Sequence, residues 1–177
     1  NVGEGFFVYG NFPMTITRLA AEAAHAVCYS SDGDREIRAD YCPYDYSGYD
    51  GVHLLGRFLS GLVDIIAVAF LFFIGRRLYG WQAGLLAATL LATAVMPIQQ
   101  SHFYTMDTWA AALTTITLYA AVRAAALGDA VPRKRYHWWI LFGISFGLTA
   151  ASRINLAPLA LIVNVSAVIW LNKRGHN

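Results

Sequence analysis

Past Gly51 the chain nearly runs out of acidic side chains. Asp64, Asp107 and Asp129 are the last three, and the other eight of the eleven lie in the first fifty residues. Charge of either sign is scarce, at 14% of 177 residues, against about a quarter in ordinary soluble domains. With 57% hydrophobic residues and a mean hydropathy of +0.45, this shortage excludes an ordinary soluble domain. The basic residues after the first fifty gather at the ends of apolar runs and form no stripe, so a nucleic-acid partner is not expected. Cysteine is limited to Cys28 and Cys42. Their spacing matches no zinc-ligand pair, and they either close a disulfide in an oxidising compartment or remain thiols. The chain has no P-loop, no dinucleotide fingerprint, no HExxH and no nucleophile elbow. No organic cofactor is expected, and a divalent metal is left open. No signal-peptide pattern opens the chain, and Asn1 falls inside what reads as an ordered motif. The expectation is a piece of a longer membrane protein.

What is present is a polar region, residues 1–51, followed by an apolar one, 52–177. The polar region contains "PMTITRLAAEAAHAV", residues 13–27. Its spacing predicts a short amphipathic helix with Met14, Ile16, Leu19 and Ala20 on the apolar face. Residues 29–51, rich in Asp, Gly, Ser and Tyr, read as an irregular loop. Asp32, Asp34, Glu36 and Asp40 there depart from EF-hand spacing and read as a solvated segment. Five apolar spans follow, near 53–74, 80–96, 107–127, 138–151 and 154–171. Each approaches the roughly 20 residues that a helix needs to cross a bilayer, although the fourth is short. The fold class predicted is all-α, a polytopic transmembrane bundle.

Lys and Arg set the topology. Arg76 and Arg77, then Arg123 with Arg133, Lys134 and Arg135, then Lys173 and Arg174 fall on one side if all five spans cross. The positive-inside rule makes that side cytoplasmic. The polar N-terminal region, "QQSHFYTMDT" (99–108) and "SRIN" (152–155) then share the outer face.

Several polar residues stand out against this background. Arg57 and Asp64 lie seven apart inside the first span, on one helical face, where charge is expensive. An internal packing contact and a functional role both fit them. His102 and Asp107 flank the start of the third span. Asp107 equally suits a first-turn carboxylate favoured by the helix dipole. Arg153 is the lone basic residue in an outer connection. It reads either as snorkelling to headgroups or as an anion site, with Asn155 assisting.

In order along the chain, "GEGFFVYGNFPMTITR", "GRFLSGLVDIIAVAFLFFIGRRLYGWQAGLLAATLLA", "QQSHFYTMDTWAAALTTITLYAA" and "GLTAASRINLAPLAL" resemble the membrane glycosyltransferases of the GT-C class. Within it they resemble bacterial polyprenyl-phosphate-sugar transferases related to protein O-mannosyltransferases and aminoarabinose transferases. The resemblance covers nearly the whole chain except residues 29–51 and 128–136. It implies a multi-pass protein of a bacterial cytoplasmic membrane, working at the outer face. It implies a polyprenyl-phosphate-sugar donor and a hydroxyl acceptor on a protein, lipid or glycan. A carboxylate base in the first outer loop would activate the acceptor, and basic groups would stabilise the departing phosphate. The position of that base falls before Asn1, so the chain alone is expected to be inactive. Position by position, the resemblance implies catalytic roles for Asp107 and His102, and carrier-phosphate contacts for Arg153 and Arg57. Glu4, Tyr9, Gln100 and Asn155 are expected to line the pocket. A transporter or flippase using Arg57, Asp64 and Arg153 along a path is the rival reading. The lack of a detectable repeat and the gathering of polar residues at one face count against it.

Overall fold

The computed structural model describes residues 11–29, 46, 48–125, 127 and 136–175. These residues are helical, with no strand formed among them. The elements are α1 (Phe12–Tyr29), α2 (Tyr49–Tyr79), α3 (Trp81–Ala92), α4 (Val95–His102), α5 (Met106–Ala124), α6 (Tyr136–Ser152), a 3-10 segment (Ile154–Leu159) and α7 (Ala160–Gly175). Cys28 is disulfide-bonded. Cys42, the acidic residues 32–40, Glu4 and Tyr9 lie outside the described residues.

The 31 residues of α2 rise about 46 Å, well beyond the ~30 Å of a hydrocarbon core. This helix is long and apolar enough to cross a membrane by itself. The pair α3 and α4 passes the same test only when taken together, bent by 53°. The five separate spans of the sequence reading are therefore not reproduced as five long helices. The second is broken, and α5 and α6 have 19 and 17 residues.

The break also corrects the loop boundary. Pro97 follows directly on the span expected near 80–96, a position at which a helix commonly ends. It instead occupies the first turn of α4, where its missing N–H costs nothing. Gln99, Gln100, Ser101 and His102 are helical rather than loop residues.

Packing is inverted relative to a soluble protein. Most buried residues are small, including Ala67, Ala112, Ala120, Ala121 and Ala124, or hydroxylated, including Thr17, Ser60, Thr117, Thr149 and Ser152, with Trp109 and Phe142 as large exceptions. Large apolar side chains such as Ile65, Leu86, Leu90, Ile140, Ile144 and Val168 point outward. Small residues let helix backbones approach closely in lipid, where apolar burial between helices brings little gain. Several buried hydroxyls are satisfied within their own helix: Thr117 Oγ1 donates to the Leu113 carbonyl at 2.7 Å, and Thr149 Oγ1 to that of Ser145 at 2.8 Å. The two hydroxyls then meet across α5 and α6 at 3.3 Å.

The same inversion corrects the face of α1. Its buried stripe is Pro13, Thr17 and Ala21, spaced four apart, whereas Met14 and Leu19 are exposed. The Arg18–Glu22 pair, 2.8 Å apart, lies on its exposed side.

The ring contacts fix the relative directions. Phe70 and Phe73 of α2 meet Tyr119 of α5, and Arg57 of α2 meets His102 just before α5. So α2 and α5 run parallel. Tyr119 also meets Trp138, while Thr117 meets Thr149, so α6 runs back antiparallel to α5. Between α2 and α3 the chain reverses at Gly80, whose φ of 99° and ψ of 172° suit glycine alone. Just beyond, a Cβ on Gly75 would come 2.8 Å from Gly84 Cα. That contact explains the two glycines better than flexibility does.

Candidate functional site

The starts of α2 and α5, the end of α4 and the 3-10 connection after α6 meet at one end of the bundle. The turn between α4 and α5 shapes this end. Phe103 N–H bonds to the Gln99 carbonyl at 3.1 Å and Thr105 N–H to that of Gln100 at 3.2 Å, the second being the six-to-one bond of a Schellman ending. The left-handed position between them belongs to Tyr104, with φ of 52°. A bulky residue there costs about 1–2 kcal/mol. Tertiary contacts offset this strain. Tyr104 Oη lies 2.7 Å from Thr17 Oγ1, and its ring covers Gly56, where a Cβ would come 2.9 Å from ring carbons. His53 completes the packing, edge-on at 6.3 Å.

Asp107 occupies the first turn of α5, behind an N-cap Thr105 that makes no side-chain cap bond. The helix dipole favours a carboxylate there. Arg153 follows the last residue of α6, its N–H bonded to the Thr149 carbonyl at 2.9 Å. Arg153 Nη2 and Asp107 Oδ1 are 2.7 Å apart, with side chains 30% and 34% exposed. The contact is ionic without being an aligned hydrogen bond, so Oδ1 keeps an acceptor direction in a buried position. The next two residues add polar atoms of the same kind. Thr108 Oγ1 and Trp109 Nε1 are buried and have no hydrogen-bond partner among the described residues. The Trp109 ring is held edge-on by Phe12 of α1 at 6.2 Å.

Arg57 and His102 form a second cluster. Arg57 Nε donates to the His102 main-chain carbonyl at 2.5 Å, so the contact uses His102's backbone and leaves its imidazole exposed. Both residues line a cavity of about 650 Å³ with Leu54, Leu55, Phe58 and Ser101. Arg57 also borders a neighbouring cavity of about 300 Å³ with Asp50 and His53.

Of the residues singled out from sequence, the structure joins Asp107 to Arg153 and Arg57 to His102. Gln100 contributes its carbonyl to the α4 ending. Asn155 is an exposed residue of the 3-10 segment, so the fifth apolar span begins as a 3-10 turn and becomes α-helical only from Ala160. Asp64 stays half-buried and makes no ion pair among the described residues, so no Arg57–Asp64 contact forms. Tyr104, Asp50 and His53 were missed. The spacing 50, 53, 57 along one helical face was the available signal for the last two; nothing local marked Tyr104. No group of three or more metal-ligating side chains gathers among the described residues.

Residues 52–176 match the model of the family described as dolichyl-phosphate-mannose-protein mannosyltransferase. No curated protein and no solved structure matches the chain.

Proposed function

Because the chain belongs to the dolichyl-phosphate-mannose-protein mannosyltransferase family, we propose that this membrane glycosyltransferase uses the end of the bundle holding Asp107, Arg153, Arg57 and His102. The donor is a polyprenyl-phosphate-linked sugar and the acceptor a hydroxyl. The acceptor oxygen forms a bond to the anomeric carbon as the bond from that carbon to the carrier phosphate breaks. The phosphate leaves with the electron pair, and the hydroxyl proton passes to a carboxylate. The observation that carries this reading is the Asp107–Arg153 contact, which pairs a proton acceptor with a phosphate-binding cation.

The geometry suits the following roles. Arg153 meets the negative charge that develops on the leaving phosphate, where a fixed cation in a partly dry site is worth most. Asp107 keeps Arg153 in place beforehand and offers Oδ1 to a hydroxyl of sugar or acceptor. Arg57 has Nε committed to the chain, so its terminal nitrogens serve a phosphate at the mouth of the 650 Å³ cavity. Leu54, Leu55 and Phe58 there suit the first isoprene units of a carrier. His102 borders the same cavity and is assigned to the acceptor side.

The site is assigned to the outer face of a bacterial cytoplasmic membrane. Residues 1–51 are outside, and five passes are completed by the bent α3–α4 pair and the shorter later helices. Support comes from the basic residues at the opposite end, the directions of α2, α5 and α6, and the disulfide at Cys28. The test is sugar turnover from a polyprenyl-phosphate donor by the full-length protein in liposomes. Asp107→Asn and Arg153→Ala should each lower kcat by about 100-fold or more. Unchanged turnover in both variants removes the pair from the mechanism.

A further inference from the structure

We propose that the opposite, basic end of the bundle holds a binding site for the phosphate headgroup of an anionic glycerophospholipid. A cavity of about 430 Å³ there is lined by Phe73, Arg76, Arg77, Tyr119 and Arg123. Its three guanidinium groups come from the last turns of two helices, α2 and α5. Cations at helix C-termini suit the dipole, but that alone would let each arginine spread into solvent. Here they converge on one space, and no acidic side chain among the described residues lines it.

Two of the three are positioned. Arg77 Nε donates to the Leu127 carbonyl at 3.0 Å. The guanidinium carbon of Arg123 lies 4.7 Å from the centroid of the Trp138 ring, and its Nε is buried. Arg76 is exposed. Planar guanidinium groups bind phosphate oxygens in pairs, so Arg76 and Arg123 bordering one cavity suit a phosphate.

The source of that phosphate is read from the surroundings. Phe73 and Tyr119 form the aromatic wall, with ring centroids 6.0 Å apart, and Tyr119 is followed by Trp138 at 5.6 Å. Such rings sit at the level of headgroups. Phe73 of the cavity wall is exposed, and so are Leu78, Tyr79 and Trp81, a few residues further along the chain from Arg76 and Arg77, which is apolar surface suited to acyl chains and not to a free ion. Basic pockets between membrane helices on the cytoplasmic side suit anionic lipid.

The experiment is native mass spectrometry of the full-length protein in detergent, titrated with phosphatidylglycerol, with phosphatidylcholine or with inorganic phosphate. Melting temperature is followed in parallel. Wild type should retain phosphatidylglycerol and gain thermal stability from it. Arg76→Gln and Arg123→Gln should each weaken retention about tenfold, the loss of one charge-assisted contact. Arg18→Gln, on the distant α1, should leave it unchanged. Arg76 is exposed, so its variant tests the site even where Arg123→Gln loses the Trp138 contact and unfolds. Equal retention of phosphatidylcholine, displacement of the lipid by millimolar phosphate, or an Arg76→Gln variant indistinguishable from wild type would each overturn the proposal.

Discussion

Tyr104 does what glycine usually does at a helix ending, and its side chain is the reason. The left-handed backbone costs about 1–2 kcal/mol. The hydroxyl contact to Thr17 and the ring over Gly56 tie α4 to α1 and α2. Tyr104→Phe removes the hydroxyl only and should destabilise by about 0.5–1.5 kcal/mol in a detergent-unfolding titration. Gly56→Ala tests the ring. Helix propensity alone favours alanine by about 1 kcal/mol. Here the added Cβ would lie 2.9 Å from the ring of a residue already fixed by its backbone. Crowding of that kind costs about 1–3 kcal/mol, so the variant should be less stable. A Gly56→Ala protein that melts higher would show that Tyr104 moves freely. At the same scale, a double-mutant cycle on Asp107 and Arg153 should give a coupling above the ~1 kcal/mol ceiling of exposed pairs, because both side chains are about two-thirds covered. A coupling near zero would class the contact as a surface ion pair. Asp107 and Arg153 were legible from sequence as unusual charges, but their partnership was not. They are 46 positions apart, and only the packing of α6 on α5 joins them.

At the level of elements, the apolar runs indicated where helices lie, but several boundaries shift: α2 starts four residues before and ends five beyond the expected 53–74, and α7 starts at Ala160 instead of near 154. Another change has local causes. "QQSH" looked like loop because it is polar and follows proline. It is helical because proline is tolerated in a first turn and Thr93–Ala94 had already broken the rod. The α2–α3 hairpin depends on two kinds of glycine, one for backbone conformation and one for closeness. Gly80→Ala should destabilise because φ of 99° is unfavourable for a side chain. Gly84→Val should do so more strongly, since the Cβ would come 2.8 Å from main-chain atoms of Arg76 and Phe72, which cannot rotate away. Trypsin sensitivity after Arg76 and Arg77 in reconstituted protein should rise with Gly84→Val. Resistance equal to wild type would mean that the helices do not depend on this approach.

Across the whole molecule, polar chemistry divides between two ends of a bundle whose sides are apolar. Cysteine substitutions at Phe103 and Tyr79, which are 68% and 81% exposed, should react with an impermeant maleimide from opposite sides of intact cells. Phe103→Cys should label from outside and Tyr79→Cys only after lysis. Both labelling from one side would remove the assigned topology, and with it the outer-face site.

The sequence by itself determined the helical class and the asymmetry of basic residues, because membrane solvation and helix geometry act on neighbouring residues and leave a periodic record. It also carried the family's motifs. Only the tertiary structure decided which charges meet, that the large apolar residues of α1 face outward, and that a tyrosine could occupy a glycine's place. Those outcomes depend on contacts between distant segments, such as that across the 87 positions from Thr17 to Tyr104. Neither segment alone contains the space, the partner or the compensation for strain.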